Sequence, residues 1–265
     1  MIEHPPTHSD VVDGVYYPCS DGQPMAETPI HAQAMFLLYQ ALGDVFASRP
    51  TGYVGIDMFW YWEKGNPAAT RAPNVFVVLG VSKRQRRSFK SFEDGGARPA
   101  VIFEMASENT WRVNLNETKN LYEQLGVIEY LVFDPTRDYL PEPLLGFRLD
   151  SNHLYQAVEA DADGGMTSTQ LGLRFVPEGE MLRVIAANGQ PILTHAERAE
   201  QQRQRADQQE QRAEQERQRA EQERQRAEQE RQRADAAEAE IARLRALLGQ
   251  PGPSRSNGPS PPAAD

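Results

Sequence analysis

A chain of 265 residues, 39% hydrophobic and 25% charged, has room for one globular domain and a polar extension. Its net charge of -10 weighs against a generally basic nucleic-acid binder and requires any phosphate contact to be local. The lone cysteine, Cys19, excludes an intramolecular disulfide. No apolar run approaches the ~18 residues of a membrane span, and residues 1–6 lack the basic-then-apolar order of a signal peptide, so a reducing cytoplasm is the expected compartment.

Residues 1–15 are polar, carry paired prolines and are expected to be loosely held. Ser20-Asp21-Gly22 is a turn signal. Thr28-Pro29 then supplies an N-cap and a proline at the first helical position. Ile30, Ala34, Leu37, Leu38, Ala41 and Val45 recur at helical spacing, and Pro50 stops the run. Glu27 and His31 flank the helix start. An acid there either complements the helix dipole or approaches a metal site.

Residues 53–62 read as an aromatic-rich strand, with Asp57 in it as a turn acid or a carboxylate recruited to a site. The apolar runs 75–81 and 100–107 have the character of neighbouring central strands buried on both faces. Glu104 lies inside the second. An ionised carboxylate in such a strand costs several kcal/mol unless paired, hydrogen-bonded or bound to a cation. Between the two runs, residues 83–90 hold five cations: Lys83, Arg84, Arg86, Arg87 and Lys90. They either touch DNA phosphates without reading sequence or offset nearby acids.

Asn114-Leu115-Asn116-Glu117 has the form of a capping box. Leu115, Thr118, Leu121, Tyr122 and Leu125 continue as a helical stripe ending at Gly126, and Lys119 and Tyr122, three apart, share a face. A strand over 128–133 ends at Asp134-Pro135. Hairpins follow, pairing 144–149 with 153–158 and 172–176 with 181–185, and Asn188-Gly189 marks a further tight turn.

These blocks together resemble the PD-(D/E)XK superfamily, and within it the Uma-two family of endonuclease-like proteins. The carrying residues are Pro73-Asn74, the basic loop 83–90, Glu104-Met105-Ala106-Ser107, Asn114, Lys119, Tyr122, Leu125-Gly126-Val127 and Phe133-Asp134-Pro135, within a resemblance spanning residues 16–192. It implies an α/β (α+β) fold: a mixed central sheet flanked by helices, with added antiparallel hairpins. It also implies a Mg2+ or Mn2+ centre at Glu104 and residue 74, catalytic roles for Glu104, Lys119, Asn74 and Glu27, and DNA as substrate. The chain departs from the pattern where the family carries Asp, having Asn74 and Asn114, and it has Ala106 in place of a strand lysine. Lys119, next to Thr118, is the matching helix lysine. An amide oxygen can ligate a divalent ion but brings no charge to hold it.

From Ala206 to Ala234 the sequence repeats Ala-Glu-Gln-Glu-Arg-Gln-Arg every seven residues. One alanine per heptad falls short of the two apolar seams of a coiled coil. Strong helix formers and contacts such as Arg217 with Glu221 favour a charged helix nevertheless. Ile241, Leu244 and Leu248 form a true seam at its end, where copies of the chain could associate. The expected organisation is a domain over 1–193, a helix over 194–249 and a disordered Pro/Ser/Gly-rich tail over 250–265. Three functions are open at this point: a magnesium-dependent DNA endonuclease, a catalytically inactive relative kept for DNA binding or self-assembly, and a purely structural protein.

Overall fold

The computed structural model describes residues 10–20, 26 and 28–249. Glu27 and the expected disordered tail over 250–265 lie outside the described residues. The chain opens with β1 (Val11–Val12) and β2 (Val15–Tyr16), an antiparallel hairpin turned by Asp13 and Gly14 at positive φ. Residues 10–15 are therefore not loose, contrary to the sequence reading: Asp10 is buried, and its carbonyl accepts from Tyr17 N–H. Helix α1 (Pro29–Ala47) starts as expected, with the Thr28 side chain accepting from His31 N–H. Its buried face is His31, Ala34, Met35, Leu38, Leu42 and Phe46, rotated from the predicted stripe but with the same spacing.

The segment expected as one strand over 53–62 is two. β3 (Tyr53–Ile56) ends at Asp57, whose φ of 40° turns the chain out of the sheet. β4 (Trp60–Tyr61) then joins a small sheet with β5 (Thr70–Arg71) and, later, β7 (Phe89–Lys90). β6 (Val75–Val78) and β8 (Val101–Met105) are adjacent, as expected, and pair antiparallel. β9 (Glu129–Phe133) lies parallel to β8, while β10 (Leu144–Leu149) and β11 (Tyr155–Val158) continue antiparallel. The result is a six-stranded mixed sheet in the order β11-β10-β9-β8-β6-β3. A second antiparallel sheet comprises β12 (Met166–Ser168), β13 (Leu173–Glu178) and β14 (Met181–Ile185).

Side-chain alternation gives the main sheet two buried faces. Val75, Val77, Val101, Phe103 and Met105 pack with α1 and the second sheet. Phe76, Val78, Ile102, Val132 and Tyr130 pack on the opposite side with Trp60, Phe89 and Tyr122. The parallel β8–β9 pair requires a crossover, supplied by α2 (Trp111–Val113), a π-helical turn over Asn114–Thr118 and α3 (Lys119–Gln124). The capping-box expectation at Asn114 is corrected: helix begins a turn earlier, with Asn114 N–H donating to the Thr110 carbonyl. Asn114 has helical φ/ψ and is an interior residue rather than a cap. Past β9, the buried Asp134 carboxylate accepts from the N–H groups of Thr136, Arg137, Tyr139 and Leu140 and from the Thr136 hydroxyl. Those donors offset the desolvation of its charge and fix the loop.

Helix α4 spans His195–Leu247. At ~1.5 Å per residue it runs on the order of 80 Å. It opens with a capping box that the sequence reading missed: Thr194 N–H donates to Glu197, and Glu197 N–H donates to the Thr194 hydroxyl. Arg183 is clamped between Glu178 and Glu197, and this pairing holds the Glu197 carboxyl down to about 2. The compact first unit consequently runs past residue 193 to Glu197, with a second unit beyond it. Along the exposed helix, Gln218, Gln225 and Gln232 donate to Glu214, Glu221 and Glu228, so Glu221 bonds to Gln225 rather than to the expected Arg217.

A chain truncated after Glu200 is expected to keep the full chain's thermal midpoint. Truncation after Leu193 removes the cap and one side of the Arg183 clamp, and should cost about 1 kcal/mol, since Glu197 is more than a third exposed. Urea denaturation of the two truncations measures the difference.

Candidate active site

The β6–β8 register pairs Val75 with Phe103, and one further step sets Asn74 opposite Glu104. Glu104 shares the parity of Ile102 and so points to the face covered by α3. There Tyr122 donates its hydroxyl to Oε1 at 2.9 Å, and the backbone N–H of Asn74 donates to Oε2 at 3.2 Å. The Asn74 side-chain oxygen accepts from Met105 N–H at 2.7 Å and stands 3.4 Å from His31 Nε2. His31 thus reaches the site from α1. Around these groups is a cleft of about 290 Å³, also lined by Arg71, Thr110, Asn114 and Thr118.

Burial raises the Glu104 carboxyl to about 7, with the nearby Asp57 charge adding to the rise, while the two hydrogen bonds oppose it. Burial also pushes the Tyr122 hydroxyl well above its ordinary range, so it remains a donor. Without a cation beside it, the acid is divided between charged and neutral forms at neutral pH. Both its oxygens are engaged, and the Asn74 oxygen is committed to the backbone. No group of three or more His, Cys, Asp or Glu is arranged to hold a metal ion among the described residues. The residues present therefore do not fit the divalent centre that the resemblance implies at Glu104 and Asn74.

Of the expected catalytic set, Glu104 and Asn74 meet in the cleft, and Glu27 falls outside the described residues. Lys119 does not reach it. Its ammonium lies 5.0 Å from the ring centre of Phe147, two strands away from β8. The physical reason is the π-helical turn, which carries more residues per turn than an α-helix and rotates the side chains after it. Asn114, Thr118 and Tyr122, each four apart, form the stripe facing Glu104. Thr118 lines the cleft, and its neighbour Lys119 does not. The spacing of four from both Asn114 and Tyr122 was the sequence signal that could have identified it.

The cations of the basic loop each find partners within the protein. Lys83 donates to the carbonyls of Phe46 and Ala47, closing the C-terminus of α1. Arg86 is only 2% exposed at its side chain, is bonded twice to Asp94, and stacks on Tyr53 and Phe89. Lys90, 3% exposed, faces Glu93 and the Tyr17 ring. Arg84 pairs with Glu93 and Asp94, and Arg87 with Asp10 and the Cys19 sulfur. The groove beside this loop, about 820 Å³, is lined by these paired cations and by Ser88, whose buried hydroxyl meets no hydrogen-bond partner among the described residues. These pairs offset nearby acids, while the Arg84 and Arg87 side chains remain half-exposed.

Two measurements follow from this geometry. Arg86→Ala should lower stability by about 2–4 kcal/mol by stranding Asp94, whereas Arg84→Ala should cost under about 1 kcal/mol. Equal effects in urea titrations would contradict the structural role of Arg86. For Glu104, the ordinary carboxyl value is 4.5 and the folded value about 7. Below both values the acid is protonated in folded and unfolded chains alike; between them the folded chain holds a proton that the unfolded chain has released. Stability should then fall with rising pH by up to ~1.4 kcal/mol per unit across that window and level off above it. Glu104→Gln, which can accept from Asn74 and donate to Tyr122, should lack this decline. Parallel profiles for parent and variant would show an acid ionised throughout.

No curated protein matches the chain. Among solved structures it is similar to one described as a "putative nuclease belonging to DUF820 from Anabaena variabilis ATCC 29413", at 10% identity and a TM-score of 0.40, over 60% of this chain and 80% of that one. No helix among the described residues is long and apolar enough to cross a membrane. The pattern of the family described as "Putative restriction endonuclease" matches residues 7–180, most of the domain that carries the Asn74–Glu104 cleft, and the chain belongs to that family, Uma2.

Proposed function

We propose that this protein is a nuclease-fold module whose cleft no longer supports metal-dependent hydrolysis, and that it acts through binding and self-assembly. The observation that carries the reading is the setting of Glu104, whose oxygens accept from the neutral Tyr122 hydroxyl and Asn74 N–H, while the Asn74 side-chain oxygen is taken up by Met105 N–H. Three positions around it are neutral. Asn74 and Asn114 replace carboxylates, and Thr118 stands in place of a cation. A divalent ion needs charge to hold it, and a hydrolytic centre needs a cation near the developing phosphate charge. Each missing group is worth several kcal/mol of transition-state stabilisation, or orders of magnitude in rate.

Family membership favours a second reading, an endonuclease of low activity using Mg2+ or Mn2+, with nucleic acid as the substrate class. Glu104 would then be the ligand and Lys119 would have to move into the cleft from its place over Phe147.

A nicking assay on supercoiled plasmid with magnesium or manganese separates the two. Under the proposed reading the parent and Glu104→Ala are both silent, and the triple variant Asn74→Asp, Asn114→Asp, Thr118→Lys gains metal-dependent nicking at least ~100-fold above the parent. Nicking by the parent that disappears in Glu104→Ala would establish the endonuclease instead.

A further inference from the structure

Ile241, Leu244 and Leu248 are 48, 49 and 74% exposed near the end of α4. Their spacing of three and four puts them on one helix face. With Ile241 and Leu248 at heptad position a, Leu244 and Ala237 occupy d, and the earlier a positions are Ala234, Ala227, Ala220, Ala213 and Ala206. A β-branched residue at a with leucine at d is the combination that suits two parallel strands.

The flanking charges point to what covers this face. In a parallel, in-register pair, each g residue meets the e residue of the following heptad on the other copy. Here Arg233 at g would meet Glu238 at e, and Glu240 at g would meet Arg245 at e. Both pairs are of opposite sign, and two-fold symmetry repeats each one. Arg243 lies 3.9 Å from Glu240 within the same helix, an exposed contact that leaves the carboxylate able to take a second cation. The upstream repeats differ. At g and e they set Arg212 against Arg217, Arg219 against Arg224 and Arg226 against Arg231, with Glu216, Glu223 and Glu230 at d. That stretch offers like charges and no apolar seam, so complementarity begins only at Arg233.

We infer that residues 233–248 are a dimerisation element, whose partner is a second copy of this chain docked parallel and in register on the Ile241–Leu244–Leu248 face. The inference rests on the assembly half of the proposed function and names its partner and orientation. The arginine-rich repeats above the element act as a spacer that discourages pairing further along, restricting the contact to the helix tip.

The test uses the full chain carrying Cys19→Ser. Ile241→Cys in this background should cross-link to itself under glutathione oxidation, since position 241 faces its own counterpart in a parallel pair. Efficient linkage of Ile241→Cys to Leu244→Cys in a mixture, with little self-linkage of either, would indicate an antiparallel pair and overturn the proposal. Sedimentation equilibrium supplies the second reading. Glu240→Arg should weaken the dimer roughly ten-fold, and adding Arg245→Glu should restore it. A parent that stays monomeric into the hundreds of micromolar, or a charge swap without effect, would also overturn it. The plasmid assay is independent of these results. A nicking parent that dimerises refutes the inactive cleft and leaves this element standing, and a silent parent that is monomeric does the reverse.

Discussion

One buried carboxylate sets the terms for the centre of this molecule. Strand alternation in β8 commits Glu104 to the face that α3 covers, among Ile102, Tyr130 and Tyr122. Leaving an acid there without partners would cost several kcal/mol. The Tyr122 hydroxyl and the Asn74 N–H meet its two oxygens, and the crossover helix and the entry to β6 are thereby tied to the end of β8. The acid is stabilised by neutral donors rather than by a cation. Its carboxyl consequently stays high, and the cleft around it is polar, with Arg71 the charged group in its lining besides the acid itself.

The same economy of charge appears elsewhere in the domain. Asp134 is held by backbone donors and the Thr136 hydroxyl, and Glu129 by Arg148, Ser168 and Thr169. Asp94 is held by Arg86. In each case an acid buried near a strand end or loop finds donors within the chain. The basic loop is the clearest example. Its five cations hold together α1, the small β5-β4-β7 sheet and the β1–β2 hairpin through Phe46, Asp94, Tyr17 and Asp10.

The part of the chain that matches the Uma2 family holds the framework of the cleft: two neighbouring strands, a parallel crossover, and an acid meeting residue 74 across the register. At that junction the Tyr122 hydroxyl and the Asn74 N–H meet the acid. The long helix makes a corresponding change in what the protein can present to partners. Most of α4 is polar all round, supported by Glu–Gln bonds along one side. Its apolar residues are concentrated at the tip, where a weak, directional contact can form without burying the rest.

Much of the architecture was legible in the sequence because it depends on local rules. The Thr28-Pro29 start of α1, the two-face-buried β6 and β8, and the strand after Gly126 follow from capping, periodicity and turn chemistry. The heptads announced the charged helix in the same way, and Glu104 stood out because an acid in a buried strand demands a partner. Tertiary structure alone decided which partner it found. A π-helical turn of five residues rotated Lys119 away and brought Thr118 into the cleft, a difference of one position that periodicity could not resolve. Five adjacent cations gave no sign of their destinations, since Asp94, Asp10 and the carbonyls of α1 are brought to them only by the fold. Local propensity acts over a few neighbours and fixes the elements. The charge state and reach of a side chain are set by whatever packs against it from distant parts of the chain.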